Sequence, residues 1–294
     1  MRIDLHTHSR VSDGTDAPAE LVRAAKAQGL DVVALTDHDT ADGWSDAVEA
    51  AQQVGLELVR GMEISTDLDG HSVHLLAYLP DPAYPPLAAE LAKVLAGRSD
   101  RLPRMLARLN DLGIPITVDD VVAVSGDAAA SGRPHVADAL VRMGVVADRG
   151  EAFDRYLAWG RPAYLGRYAA PLVATVRAVT AAGGVPVIAH PWGRTTRRRP
   201  DAGELAVLVE AGLVGIEVDH QDHSPEIRAE LRGLARELDL VVTGSSDYHG
   251  TGKVGHPLGV NTTDPEEYTR LIERAAVTGA AARARGQEPP EVVR

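Results

Sequence analysis

The chain opens MRIDLHTHSR, and His6 and His8 stand two residues apart at the end of a short apolar run. Residues i and i+2 of a strand point to the same side, so these two imidazoles read as the first corner of a metal site. Far along the chain, Asp247 and His249 in SSDYHG repeat the spacing. Between them, apolar runs carry or end in further ligand-type side chains: Asp37-His38-Asp39 after DVVAL, Glu63 in GMEIS, His74 in VHLLAYL, His190 after VPVIA, and Glu217, Asp219 and His220 in VGIEVDH. Burying such groups unpaired costs several kcal/mol. Each has a plainer reading by itself: His74 as a core histidine, Asp13 in VSDGT as a turn residue or helix cap, Asp37 and Asp39 as turn and cap residues. One shared polynuclear site accounts for all seven runs at once. There is no cysteine, so the donors are imidazole and carboxylate, a set that suits a hydrolytic centre using Mn, Fe or Zn.

The elements that must position these groups are legible as seven strand-like runs, at 2–6, 31–36, 57–65, 72–79, 185–190, 214–220 and 240–247. Amphipathic helical patterns follow most of them; the first has Pro18 in its opening turn and Gly29 at its stop. Strands alternating with helices predict an α/β chain with a parallel sheet. Seven units in roughly 200 residues suit a closed barrel better than an open sheet, and barrel chemistry collects at the C-terminal ends of strands. In a closed barrel the first and last strands are neighbours, which brings His6 and His8 beside Asp247 and His249. From 81 to 164 the pattern changes to proline punctuation and amphipathic helices, predicting an inserted helical subdomain, with 1–80 and 165–294 forming the barrel. The final stretch, AARARGQEPPEVVR, reads as a frayed tail.

The 294 residues carry 30 Lys and Arg against 42 Asp and Glu, a formal charge of −12. That balance makes the chain a poor candidate for holding long nucleic acid through a broad basic face and leaves room for a small phosphorylated substrate held by local arginines and metal ions. Lysine occurs only at 26, 93 and 253, so arginine supplies almost all positive charge. The one basic run, Arg197-Arg198-Arg199, is a solvated loop or a phosphate-attracting rim. No apolar stretch approaches the ~18 residues of a membrane span, and no signal-peptide core precedes the first strand, so a cytoplasmic protein is expected. The oligomeric state is left open.

Taken in order, DLHTHSRVSDGT, ALTDHDT, GMEIS, HLLAYL, AHP and SSDYHG resemble the PHP phosphoesterases, the family of polymerase-associated and histidinol-phosphatase proteins, over nearly the whole chain. The helical insert resembles a subgroup that acts on nucleoside 3′,5′-bisphosphates or trims short 5′-phosphorylated oligoribonucleotides. SGRPHVADAL resembles that subgroup's phosphate-binding segment. The resemblance implies a distorted seven-stranded, TIM-like (β/α)7 barrel and two or three divalent metal ions, Mn first, with Fe or Zn as alternatives. It implies as ligands His6, His8, Asp13, His38, Glu63, His74, His190, Asp247 and His249. It further implies Arg133, His135, Arg194, His220 and Lys253 at the phosphates of the substrate.

Such metals lower the pKa of a bound water and neutralise the charge that makes phosphate esters resist attack. Glu63 is the natural bridging carboxylate. The leaving alkoxide takes its proton from His220 or from a metal-bound water. Asp37 and Asp39 flank His38 and would orient ligands. A substrate with two phosphates needs a second anion site, for which Arg133 and Arg194 are the choices; otherwise they are a surface charge at a helix start and part of a solvated loop. The expected function is therefore a metal-dependent phosphoric ester hydrolase acting on small phosphorylated nucleotides. A histidinol-phosphate-type phosphomonoesterase is the first alternative, but it would not need the insert. A carbon–nitrogen hydrolase of amidohydrolase type also opens on His-x-His, yet Glu63 stands where a carbamylated lysine would be. A non-catalytic metal-binding module is the third, opposed by the complete ligand set.

Overall fold

In the computed structural model of the chain, which describes residues 1–126, 128–193 and 199–294, β1 (Ile3–Asp4), β2 (Val32–Leu35) and β3 (Glu57–Leu68) run parallel, side by side. Helices α1 (Pro18–Ala27) and α2 (Trp44–Val54) make the crossovers. β2 is apolar on both faces. Val32 and Ala34 join an inner layer with Ile3, Leu5 and Val59, while Val33 and Leu35 face Leu21, Val22 and Ala47 of the helices. A strand covered on both sides reads as a continuous apolar run, as DVVAL does.

β4 (His71–Tyr78) departs from the all-parallel expectation and pairs antiparallel with β3. Asp69 and Gly70 separate the two strands, with φ of 52° and 81°. Two residues in the left-handed region form a hairpin turn, and two residues cannot make the crossover a parallel pair needs.

After β4 the chain leaves the barrel through α3 (Pro85–Asp111), α4 (Val118–Ser125), α5 (Arg133–Arg142), α6 (Arg149–Ala152) and a π-helical turn at Phe153–Leu157. These helices share an apolar cluster of their own, with Met105, Leu109, Val121, Val136, Leu140 and Leu157. The first half of α3 instead places Leu87 and Leu91 in the barrel's outer layer. One continuous helix thus fastens the insert to the barrel. The chain returns through a short strand that the sequence did not announce, β5 (Ala170–Pro171), which pairs with Thr66 and Asp67 of β3.

Helix α7 (Leu172–Ala181) leads to β6 (Val185–Ala189), α8 (Ala202–Ala211) to β7 (Gly215–Asp219), α9 (Pro225–Glu237) to β8 (Val241–Gly244), and α10 (Pro265–Arg283) follows. β6 is antiparallel to β4, then β6, β7 and β8 are parallel. The strand order is β1-β2-β3-β4-β6-β7-β8. Thr7 bridges Tyr248, and His8 N–H donates to Tyr248 O at 2.8 Å. The first and last strands therefore meet, giving a nearly closed seven-stranded barrel.

The C-terminal stretch is not frayed. Leu58 and Val293 exchange backbone hydrogen bonds at 3.0 Å each, Arg60 donates to Glu291 O, and Glu288 N–H donates to Asp81. The polar composition of this stretch hid the β3 backbone groups waiting to be paired. No helix among the described residues is long and apolar enough to cross a membrane.

Candidate metal centre

All nine residues implied as ligands converge at one end of the barrel. Glu63, buried on β3, is the hub. Its Oε1 lies 2.8 Å from His74 Nδ1 and 3.0 Å from His190 Nε2; its Oε2 lies 3.1 Å from His38 Nδ1, 3.2 Å from His8 Nε2 and 3.4 Å from His6 Nε2. Asp247 Oδ1 stands 3.6 Å from His6 Nε2 and His8 Nε2. Asp13 lies 3.3 Å from His249 Nε2 and 3.7 Å from His38 Nε2. Several overlapping groups of these atoms fall within 4.8 Å, among them His8, Asp13, His38 and His249, and His38, Glu63 and His74. The backbone is bent to achieve this: His190 and Asp247 have φ of 27° and 52°, positions costly for non-glycine residues and typical of functional sites.

The donor chemistry fits divalent cations. Four buried carboxylates, Asp13, Glu63, Glu217 and Asp247, share this space, and the permanent cation paired with them among the described residues is Lys253, bonded to Asp247. Burial by itself would raise the Glu63 carboxyl; the imidazoles of His74, His38 and His6 overcome it and hold Glu63 well below the usual carboxylate range. Asp13 is likewise held low against burial by His38 and His249, and Asp247 by Lys253, His6 and His249. Burial pushes His38 down to about 3, so it offers a lone pair. Carboxylate oxygens and imidazole nitrogens at these separations are a hard and borderline donor set for Mn, Fe or Zn.

The orienting residues are partly new. Glu217 Oε1 lies 3.2 Å from His6 Nδ1, which turns Nε2 toward the centre, and Glu217 Oε2 accepts from His190 N–H at 2.9 Å. Its signal in the sequence is a glutamate within the apolar run VGIEV. His249 donates from Nδ1 to Asp247 O at 2.9 Å, leaving Nε2 for Asp13's side of the centre. Asp222 N–H donates to His220 Nδ1 at 3.1 Å, which leaves the ring's N–H on Nε2, 3.2 Å from Asp247 Oδ2. His256, which sequence reasoning missed, joins His220 and Asp247 in a further buried group.

Asp37 and Asp39, expected to orient ligands, contact the segments around the centre through neighbouring residues. Asp37 accepts from Ser9 N, Ser9 Oγ and Ser12 Oγ at 2.6–2.8 Å, bracing the loop that leads to Asp13. Asp39 accepts from Ser65 N at 2.7 Å and from Arg98 Nε and Nη2 at 2.9 and 2.7 Å. Their carboxylates are spent on loops and on α3, not on the reacting atoms.

Arg98 opens a second charged region. It lines a small cavity with Asp13, His38 and His135, and it neighbours Arg101, Arg133 and Arg167 closely enough that they repel one another. Burial, with that repulsion, pushes Arg101 and Arg167 down to about 9. Arg101 is 5% exposed, and its Nε has no hydrogen-bond partner among the described residues. Arg133, at the start of α5, lies over the rings of Phe153 and Tyr164 at 5.6 and 5.4 Å. His135 is buried beside the cavity, its Nδ1 accepting from Gly132 N–H at 2.9 Å. Of the residues expected at substrate phosphates, Arg133 and His135 thus lie in the insert wall, His220 and Lys253 at the Asp247 side of the centre, and Arg194 outside the described residues. Arg98, Arg101 and Arg167 were missed.

A model of the PHP domain family matches residues 4–101. A 5′-3′ exoribonuclease of Haemophilus influenzae is 36% identical over 249 residues, 84% of this chain and 90% of that protein. A 3′,5′-nucleoside bisphosphate phosphatase of Chromobacterium violaceum is 36% identical over 273 residues, 92% of this chain and 95% of that protein. The chain belongs to the PHP family. A crystal structure from Bifidobacterium adolescentis, classed with the metal-dependent phosphoesterases, superposes with a TM-score of 0.89 at 39% identity, covering 92% of this chain and 96% of that one. The likeness therefore takes in most of the insert as well as the PHP barrel. The family model stops at residue 101, so His190, Asp247, His249 and Arg133 lie beyond the matched segment.

Proposed function

We propose that this PHP enzyme hydrolyses phosphate esters of small nucleotides that carry a second phosphate: nucleoside 3′,5′-bisphosphates, short 5′-phosphorylated RNA, or both. The observation that carries this reading is the arginine cluster. A guanidinium buried without a partner is costly, and four crowded together ask for a polyanion. Arg98 belongs both to this cluster and to the cavity shared with Asp13 and His38, so a second phosphate held by the cluster would lie on the same side as the ester at the metal centre. The helices of 81–164 then act as a substrate wall around the barrel of 1–80 and 165–294.

In this reading the nine residues hold two or three divalent ions, Mn foremost. When bound, such ions polarise the phosphoryl group and lower the pKa of the attacking water. Glu63 can serve two seats, since its oxygens face different imidazoles. Glu217 keeps His6 turned so that Nε2 offers its lone pair. His220 presents its Nε2 proton to a phosphoryl or leaving oxygen beside Asp247. Arg133 and Arg101 grip the distal phosphate.

The test is a metal-replete assay with adenosine 3′,5′-bisphosphate, a short 5′-phosphorylated RNA, histidinol phosphate and a small phosphodiester. Turnover of the first or second is expected, and Arg133→Ala should raise KM for the bisphosphate far more than for a monophosphate ester. Phosphate release from histidinol phosphate alone would refute the reading.

A further inference from the structure

We infer that Arg149 is a positioning residue through which the helical insert sets the Asp13–His249 side of the metal centre. Arg149 lies on α6. Its Nε and Nη2 grip Asp138 of α5 at 2.5 and 2.6 Å, the paired geometry of a guanidinium on a carboxylate. Its remaining nitrogen, Nη1, reaches out of the insert to the backbone oxygen of Asp13 at 3.1 Å. The side chain is 14% exposed, so water competes little for these bonds.

The same guanidinium packs against the loop that follows His249. A Cβ placed on Gly252 would lie 2.3 Å from Arg149 Nη1, and Gly252 N–H donates to His249 O at 3.2 Å. The two loops are also tied to each other, Thr251 N–H donating to Thr15 Oγ1 at 3.0 Å and Tyr248 Oη to Asp16 at 2.7 Å. Arg149 therefore stands where three pieces of chain meet: the insert, the loop of Asp13 and the loop of His249. Asp13 and His249, with His8 and His38, form one of the groups whose donor atoms lie within 4.8 Å. Glu63, His74 and His190 sit on β3, β4 and after β6, strands that the Arg149 contacts do not touch. Moving Arg149 should loosen one seat and spare the others.

The inference rests on the reading of these residues as ligands, and the experiment separates the two. Bound manganese per chain is measured by elemental analysis across a free Mn2+ titration for the whole protein and for Arg149→Ala, Arg149→Lys, Gly252→Ala and His249→Ala, together with the thermal midpoint of each after chelation. Arg149→Ala should weaken one equivalent by about 10–100-fold, the cost of losing a residue that orients a ligand, and leave the remaining equivalents and the chelated midpoint as in the parent. Arg149→Lys should recover part of the loss. Gly252→Ala, which displaces the guanidinium from the opposite loop, should shift the same equivalent by less, and it decides the matter if Arg149→Ala does not fold. Unchanged manganese binding in both Arg149→Ala and Gly252→Ala, with His249→Ala losing an equivalent, overturns the inference alone. Unchanged binding in His249→Ala overturns the ligand reading beneath it.

Discussion

At the strand ends, the buried carboxylates Asp13, Glu63 and Asp247 are each met by two or more imidazoles, and Asp247 by Lys253 as well. A few residues away in the insert, Arg98 is matched by Asp39, while Arg101 beside it is buried with its Nε unmatched. Both regions bury charge, but with opposite sign and different completeness. The negative region is crosslinked by its own imidazoles. The positive region keeps a donor in reserve, which costs stability; in the proposed function a substrate phosphate would take it up. In the proposed function the first region would hold resident ions and the second would receive substrate.

The strongest way to break this comparison is at Glu63. Glu63→Gln keeps the shape and removes the charge that five imidazoles surround. Turnover should fall by about a thousandfold or more, the scale of groups that act on the reacting atoms, and bound metal should fall with it. Chelation should lower the thermal midpoint of the parent by several degrees, because ligands that bind only the folded state stabilise it by mass action. The same chelation should shift Glu63→Gln less. Full metal content and turnover in Glu63→Gln would mean that the negative region does not hold ions.

Asp39 tests the Arg98–Asp39 pair of the positive region. Asp39→Asn leaves Arg98 buried without its carboxylate and should destabilise the protein by about 3–5 kcal/mol in urea unfolding, the cost of breaking a buried pair on one side. A loss under 1 kcal/mol would show that Ser65, which also accepts from Arg98 at 3.0 Å, suffices.

The two regions were unequally legible in the sequence. Ligand-type residues follow apolar runs, so the strand pattern drew out His6, His8, His38, Glu63, His74, His190, Asp247 and His249 together with Asp37, Asp39, Asp219 and His220, the family resemblance selected among them, and barrel closure put the first pair beside the last. Glu217 was visible as a charge in an apolar strand, but its partner, His6, is 211 residues away. Arg98 and Arg101 carried no signal: in GRSDRLPRML they look like a solvated helix face, and only the folding of the insert onto β3 and Arg167 buries them. The direction of β4 hung on Asp69-Gly70, where DLDG marked a turn but not its two-residue length.

Arg101 carries the smallest and most discriminating of the expected effects. Replacing it with Met removes a buried charge and keeps most of the volume. KM for adenosine 3′,5′-bisphosphate should rise by about 10–100-fold, the equivalent of one or two charge-assisted hydrogen bonds, with KM for a monophosphate ester and bound metal unchanged. The free protein should melt at the same temperature or higher, because a lone buried charge is a liability that an apolar side chain relieves. Inorganic phosphate should raise the midpoint of the parent more than that of Arg101→Met, since an ion bound only to the folded state adds stability that depends on its affinity. A variant that melts lower and keeps its KM would make Arg101 a structural residue and dissolve the contrast between the two regions. Weaker substrate binding in a sturdier protein would identify the positive region as a site held open for a phosphate.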